Sequence, residues 1–167
     1  ACSRGPRPSV VLITIDTLRA DAVGAYGAQS ASTPWIDRLA AASVRFDRAY
    51  AHNVVTLPSH ANILSGRYPF QHGVRENAGY RFPSTVETLT TRLLAKGYRT
   101  GAFVSAYPLD SRFGLDHGFE VYDDRFGEAT ARSAFHVPER PGRETVALAR
   151  RWIDSVAGSR YFCWVHV

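Results

Sequence analysis

Two residues in this sequence stand where a folded chain can place reactive groups. Asp16 follows the apolar run Val10-Val11-Leu12-Ile13-Thr14-Ile15, and a hard carboxylate at the carboxyl end of a buried strand suits a divalent cation. The position also suits an aspartate that is solvated or caps a strand-to-helix turn. Thr56 opens the run Thr56-Leu57-Pro58-Ser59-His60. A hydroxyl in the first turn of a helix meets backbone N–H groups and the positive end of the helix dipole, which favour an anion. Threonine is a poor nucleophile unless a base or a metal lowers its pKa, and without that help it is simply a helix N-cap. Both residues therefore need partners.

The elements that must hold them alternate along the chain. Val10 to Ile15 is a continuous β-branched run bounded by Pro8 and Asp16, the pattern of a strand buried on both faces. Thr33-Pro34 starts a helix carrying Ile36, Leu39 and Ala40 on one face, with Thr33 as N-cap and Pro34 in the first turn. Val44-Arg45-Phe46 reads as a short strand, and Ala61 to Leu64 as a short helical stretch closed by Gly66. Ser84-Thr85-Val86-Glu87 matches a capping box and predicts a helix ending before Gly97. Tyr98 to Ser105 is the next strand, Arg143 to Val156 an amphipathic helix, and Tyr161 to Val167 a final apolar strand. The stretch from Asp110 to Pro141 shows no periodicity and reads as a surface excursion near the site. This β-α-β-α-β order predicts an α/β fold, a mainly parallel sheet sandwiched by helices, with functional groups just past the carboxyl ends of its strands.

Four ordered blocks between about Ser9 and Asp124 resemble the sulfatases of the alkaline phosphatase superfamily. They are Val11 to Asp21 (VLITIDTLRAD), Gly24-Ala25-Tyr26-Gly27, Thr33 to Leu39 (TPWIDRL) and Thr56 to Pro69 (TLPSHANILSGRYP). The resemblance implies an alkaline phosphatase/sulfatase-like fold, with residues 1–8 as an N-terminal tether and 9–167 as the N-terminal part of a catalytic domain incomplete at its C-terminus. The family's nucleophile opens a C/S-x-P-x-R motif whose cysteine or serine is oxidised to formylglycine. Here Thr56 and His60 hold the first and last positions. Threonine cannot become that aldehyde and the motif arginine is missing, which argues against formylglycine.

What remains is similar to the threonine-using branches of the superfamily, the nucleotide pyrophosphatase/phosphodiesterases and phosphoethanolamine transferases, in which a metal-bound threonine alkoxide attacks a phosphoryl group. That resemblance makes Asp16 a metal ligand and Thr56 the nucleophile or metal-bound hydroxyl, with Ca, Zn or Mn as the divalent metal. Thr17 stands where many sulfatases have a second ligating aspartate. Asn77, 21 residues beyond Thr56, matches a substrate-binding asparagine of some phosphodiester and phosphonate hydrolases, its amide donating to a non-bridging oxygen. Its alternative reading is an Asn turn before Gly79. Arg67 is the arginine of the extended signature, holding the nucleophile loop or pairing with an anion. His60 reads as a general acid or outer-sphere partner, or as a packed helix histidine. The family's Gly-Lys-Trp-His segment is replaced by Ser105-Ala106-Tyr107-Pro108-Leu109-Asp110, so its lysine and histidine are absent there. The family's remaining metal ligands, an Asp-His pair and further Asp and His residues, are expected beyond Val167.

The implied function is metal-dependent hydrolysis of a small anionic sulfate or phosphate-type ester. The alternatives are phospho-group transfer within the same superfamily and a non-catalytic sulfatase-like surface module. With one carboxylate ligand and one hydroxyl, these 167 residues alone are expected to bind metal weakly and to be inactive. The net charge of +5 comes from arginines scattered along the chain, with no basic run longer than Arg150-Arg151 and no nucleic-acid-binding motif, so no nucleic-acid partner is expected. Cys2 and Cys163 match no metal or CxxC spacing. Cys163, inside an apolar run, reads as a packed small hydrophobe. Ala-Cys-Ser at the start, followed by a Pro/Gly/Arg stretch, resembles the end of a bacterial lipoprotein signal and its tether. It implies an extracytoplasmic, periplasmic or membrane-anchored protein lipidated at Cys2, with an exposed chance cysteine as the alternative.

Overall fold

The apolar runs form one parallel sheet. In the computed structural model, which describes residues 8–126 and 138–167, β1 (Val10–Thr14), β2 (Arg99–Phe103), β3 (Val121–Asp123) and β4 (Tyr161–His166) stand in the order β1-β4-β2-β3. Every adjacent pair is parallel, so all four carboxyl ends open on one side. Successive side chains alternate between the faces. Phe162 and Trp164 enter a core with Ala102, Val104 and Leu57; Cys163 and Val165 enter a second with Phe103 and Trp152. The second core is roofed by α5 (Gly142–Ser155), whose Ala149 and Trp152 are buried along one stripe. The central strands β2 and β4 are thus covered on both faces, as their apolar runs require. β1 departs from the burial expected of it: at the sheet edge, Val11 and Ile13 are 46% and 60% exposed, and only the face of Val10 and Leu12 packs on the core.

Two units divide the chain: Ile15–Ala51, and the residues up to Thr14 together with His52–Val167. Within Ile15–Ala51, α1 (Pro34–Ala41) begins at the Thr33–Pro34 start expected from sequence. The Thr33 hydroxyl does not cap the helix. It accepts from Gly24 N at 2.8 Å and donates to Asp37 Oδ1 at 3.0 Å, while Asp37 Oδ1 also accepts from Ala25 N. Val44-Arg45-Phe46 is not a strand; the Phe46 carbonyl accepts the Tyr26 hydroxyl at 2.8 Å instead of a ladder N–H.

In the larger unit, α2 runs Thr56–Ser65, α3 Pro69–His72 and α4 Leu89–Leu94. The Ser84–Glu87 box is displaced by four residues: Thr88 caps α4 and exchanges hydrogen bonds with Thr91. Val86, 9% exposed in the core, takes up the chain that the predicted first turn would have used. The stretch from Asp110 onward also differs from a surface excursion. Leu115 is buried, Phe119 and Tyr122 pack on Trp164 and its neighbours, and β3 extends the sheet. Its part at 127–137 lies outside the described residues, as do Cys2 and most of the expected tether. No helix among the described residues is long and apolar enough to cross a membrane.

The carboxyl ends of β2 and β3 are tied by a buried polar network. Arg140, 7% exposed, pairs with Asp123, 5% exposed. It also donates to the Val104 carbonyl at 2.7 Å and to Thr145 Oγ1 at 3.0 Å, and Thr145 in turn meets Ser105 Oγ at 2.6 Å. Arg125 takes the other Asp123 oxygen. Burial pushes the Asp123 carboxyl upward, but the bonds from Arg125 and Arg140 outweigh it and hold the group below its ordinary pKa.

Candidate active site

The element that carries Thr56 is fixed by its apolar stripe. Leu57, Ala61 and Leu64 are 0 to 2% exposed and recur at helical spacing against the sheet. Gly66 ends α2 with φ +65°, its N–H reaching the Asn62 carbonyl at 2.8 Å, a left-handed cap that glycine makes without strain.

The start of α2 is unusual. Its N-cap position is Val55, whose side chain offers no acceptor for the first amides. Those amides are served from elsewhere. Leu57 N–H donates to Asn77 Oδ1 at 2.8 Å, Pro58 has no N–H, and Ser59 N–H reaches the Val55 carbonyl at 3.0 Å. Asn53 secures the approach, with Oδ1 accepting from Val55 N and its carbonyl accepting the Ser59 hydroxyl.

His60, 6% exposed, places Nδ1 2.7 Å from the Thr56 carbonyl. A carbonyl only accepts, so Nδ1 carries the proton and a neutral ring keeps its lone pair on Nε2. The ring lies 4.9 Å from that of His166, edge to face, and 5.4 Å from that of Trp164. Since His166 closes β4 and Trp164 bonds Thr14 at the end of β1, the Thr56 turn is held at the carboxyl end of the sheet. Asn77 reaches it from a segment pinned on both sides by Val74 and Phe82, 0% and 2% exposed. His72 is buried beneath the same segment and accepts the Val74 N–H at Nδ1; burial lowers its pKa.

Thr56, His60 and Asn77 are therefore gathered into one cluster. Arg67 is exposed beyond Gly66, at the opposite end of α2, about 15 Å along the helix axis from Thr56. Asp16 is half-buried, two residues past β1, within the Ile15–Ala51 unit. Thr17 beside it adopts φ +54°, a left-handed conformation that costs a β-branched residue about 1 to 2 kcal/mol. Sequence reasoning passed over His166, although a histidine closing an apolar strand is itself a signal. It also passed over the Asp123–Arg140 network.

As for a metal, Asp16 and Thr56 are two oxygen donors, whereas zinc takes four ligands and calcium six to eight. Among the described residues no group of three or more His, Cys, Asp or Glu is arranged to hold an ion. The residues described do not make up a complete divalent shell.

Comparison with known proteins bears on the whole arrangement. Human arylsulfatase H is 31% identical over 176 residues, covering 93% of this chain and 31% of that protein. The structure of a 2-O GAG sulfatase superposes with a TM-score of 0.74 at 25% identity, over 96% of this chain and 35% of that one. The phosphonate monoester hydrolase of Agrobacterium radiobacter shares the fold, with a TM-score of 0.73 at 24% identity over 96% of this chain and 40% of that one. The chain thus spans well under half the length of these relatives. The family model for sulfatases matches residues 8–155, a stretch that takes in β1, the Thr56 turn and all of α5, and the chain belongs to the sulfatase family.

Proposed function

We propose that the protein hydrolyses sulfate or phosphate-type esters, with Thr56 supplying the attacking hydroxyl. The observation that carries this reading is the double anchoring of the Thr56 turn, its carbonyl on His60 and the next amide on Asn77. A hydroxyl so placed at a helix start faces the end of the dipole that attracts an anionic ester. Its oxygen bonds to the sulfur or phosphorus, the ester oxygen leaves, and the threonine proton ends on the departing alcohol. Water then cleaves the threonine ester, returning the hydroxyl and releasing sulfate or phosphate from a monoester, or the remaining monoester from a phosphodiester. The donor hydrogens of the Asn77 amide stabilise the non-bridging oxygens.

The 2-O GAG sulfatase among the structural relatives makes a sulfated sugar the first substrate class to test. Metal dependence belongs to the same reading, with Asp16 as one carboxylate ligand among others supplied from outside the described residues. So does extracytoplasmic placement through a lipidated Cys2. The test is turnover of 4-nitrophenyl sulfate and bis(4-nitrophenyl) phosphate by the intact protein and by Thr56→Ala, with mass spectrometry of the Thr56 peptide after rapid quenching. Loss of about a thousandfold or more in kcat/KM, with a sulfo or phospho adduct on Thr56, is expected. Retained turnover in Thr56→Ala would exclude a threonine nucleophile, and a wild-type protein inert towards both esters would favour the non-catalytic module.

A further inference from the structure

Asn77 does something at the Thr56 turn that a substrate-binding asparagine alone need not do. Its Oδ1 accepts the Leu57 N–H at 2.8 Å across 20 residues of sequence. A backbone N–H can only donate, so chemistry fixes which end of the carboxamide faces the helix. The amide nitrogen then faces away from the Leu57 N–H. The acceptor is needed because Val55 at the N-cap provides none, and Pro58 removes one of the amides that would otherwise compete for it.

We propose that Asn77 is the positioning residue of the nucleophile turn, a cap supplied from a distant segment that sets where the Thr56 hydroxyl stands. The role deepens the reading of Thr56 as nucleophile and rests on it for its catalytic part. The segment that carries Asn77 is rigid enough to do this, because Val74 and Phe82 lock its two sides in the core and Phe82 N–H bonds the Phe113 carbonyl at 2.7 Å. Asn77 itself is only half-buried, so its side chain can be changed without opening the core.

Two variants separate capping from substrate contact. Asn77→Asp keeps an acceptor oxygen and adds a charge that suits a helix N-terminus, but it loses the NH2 donor. Asn77→Ala loses both. Hydrogen exchange at the Leu57 amide is expected to quicken about tenfold in Asn77→Ala and to return near the wild-type rate in Asn77→Asp. The Val104 and Phe162 amides should hold steady in both variants, reporting an intact fold. Unchanged Leu57 exchange in Asn77→Ala would overturn the proposal. In turnover, both variants lack the NH2 donor and are expected to lose kcat, and Asn77→Asp in addition raises KM for the anionic ester through its charge; a wild-type kcat in Asn77→Ala would also overturn the positioning role. If the wild-type protein turns over neither ester, the reading of Thr56 fails, and Leu57 exchange still decides the cap.

Discussion

Cys163 sits in β4 with no exposed surface, packed with Phe103, Val165 and Trp152. Burial disfavours the thiolate and pushes its pKa up to about 12. Because the thiolate is the reactive form, the side chain is inert while the sheet is intact. In a Cys2→Ser background, an aromatic disulfide reagent at about pH 8 is expected to leave the native protein unmodified and to titrate one thiol after denaturation. Native reaction at the unfolded rate would contradict this packing. The packed cysteine was legible because an apolar run surrounds it, and the family motif that opens at Thr56 was legible because it is local. The Asn77 bond to Leu57, the His60–His166 contact and the Arg140–Asp123 pair were not. Each joins residues far apart in sequence, and only the packed sheet brings them together.

At the scale of elements, α5 and β2 meet at a point that tolerates no side chain. A Cβ on Gly101 would lie 2.8 Å from the Trp152 indole carbons, and that ring is already wedged between Phe103 and Tyr161, each with its centroid 6.0 Å away. Gly101→Ala is expected to lower the unfolding free energy by about 2 kcal/mol, the usual cost of overpacking, as read by urea denaturation. The same change in a Trp152→Leu background should cost much less; an equal cost in both backgrounds would exclude the indole as its cause. Long apolar runs such as Tyr161–His166, and the periodicity of α5, announced themselves in the sequence. β3 did not, since three residues at a sheet edge give no period to read. α4 was misplaced because Ser84–Glu87 matches the capping-box pattern while the Thr88–Thr91 pair that follows it, which makes the same reciprocal bonds, has threonine in place of Glu or Gln.

For the molecule as a whole, two buried groups on different elements make acid destabilising in separate steps. His72 is 1% exposed and its pKa is lowered by burial, so the unfolded chain takes up a proton that the native ring refuses. No cost arises above the unfolded value of about 6.5, and stability falls as the pH drops through it. Asp123 has its pKa depressed by Arg125 and Arg140 against the opposing effect of burial. Its contribution is complete above an unfolded value of about 3.9 and is lost as the pH falls from there toward the folded one. Urea midpoints across acidic pH should therefore decline first between about pH 7 and 5 and again below about pH 4. His72→Gln is expected to flatten the first decline and leave the second, and Asp123→Asn the reverse. If both variants keep the wild-type slope in both windows, protonation elsewhere governs acid unfolding. The core beneath Asn77 and the clasp between β2 and β3 would then not be the parts of the sheet that acid loosens.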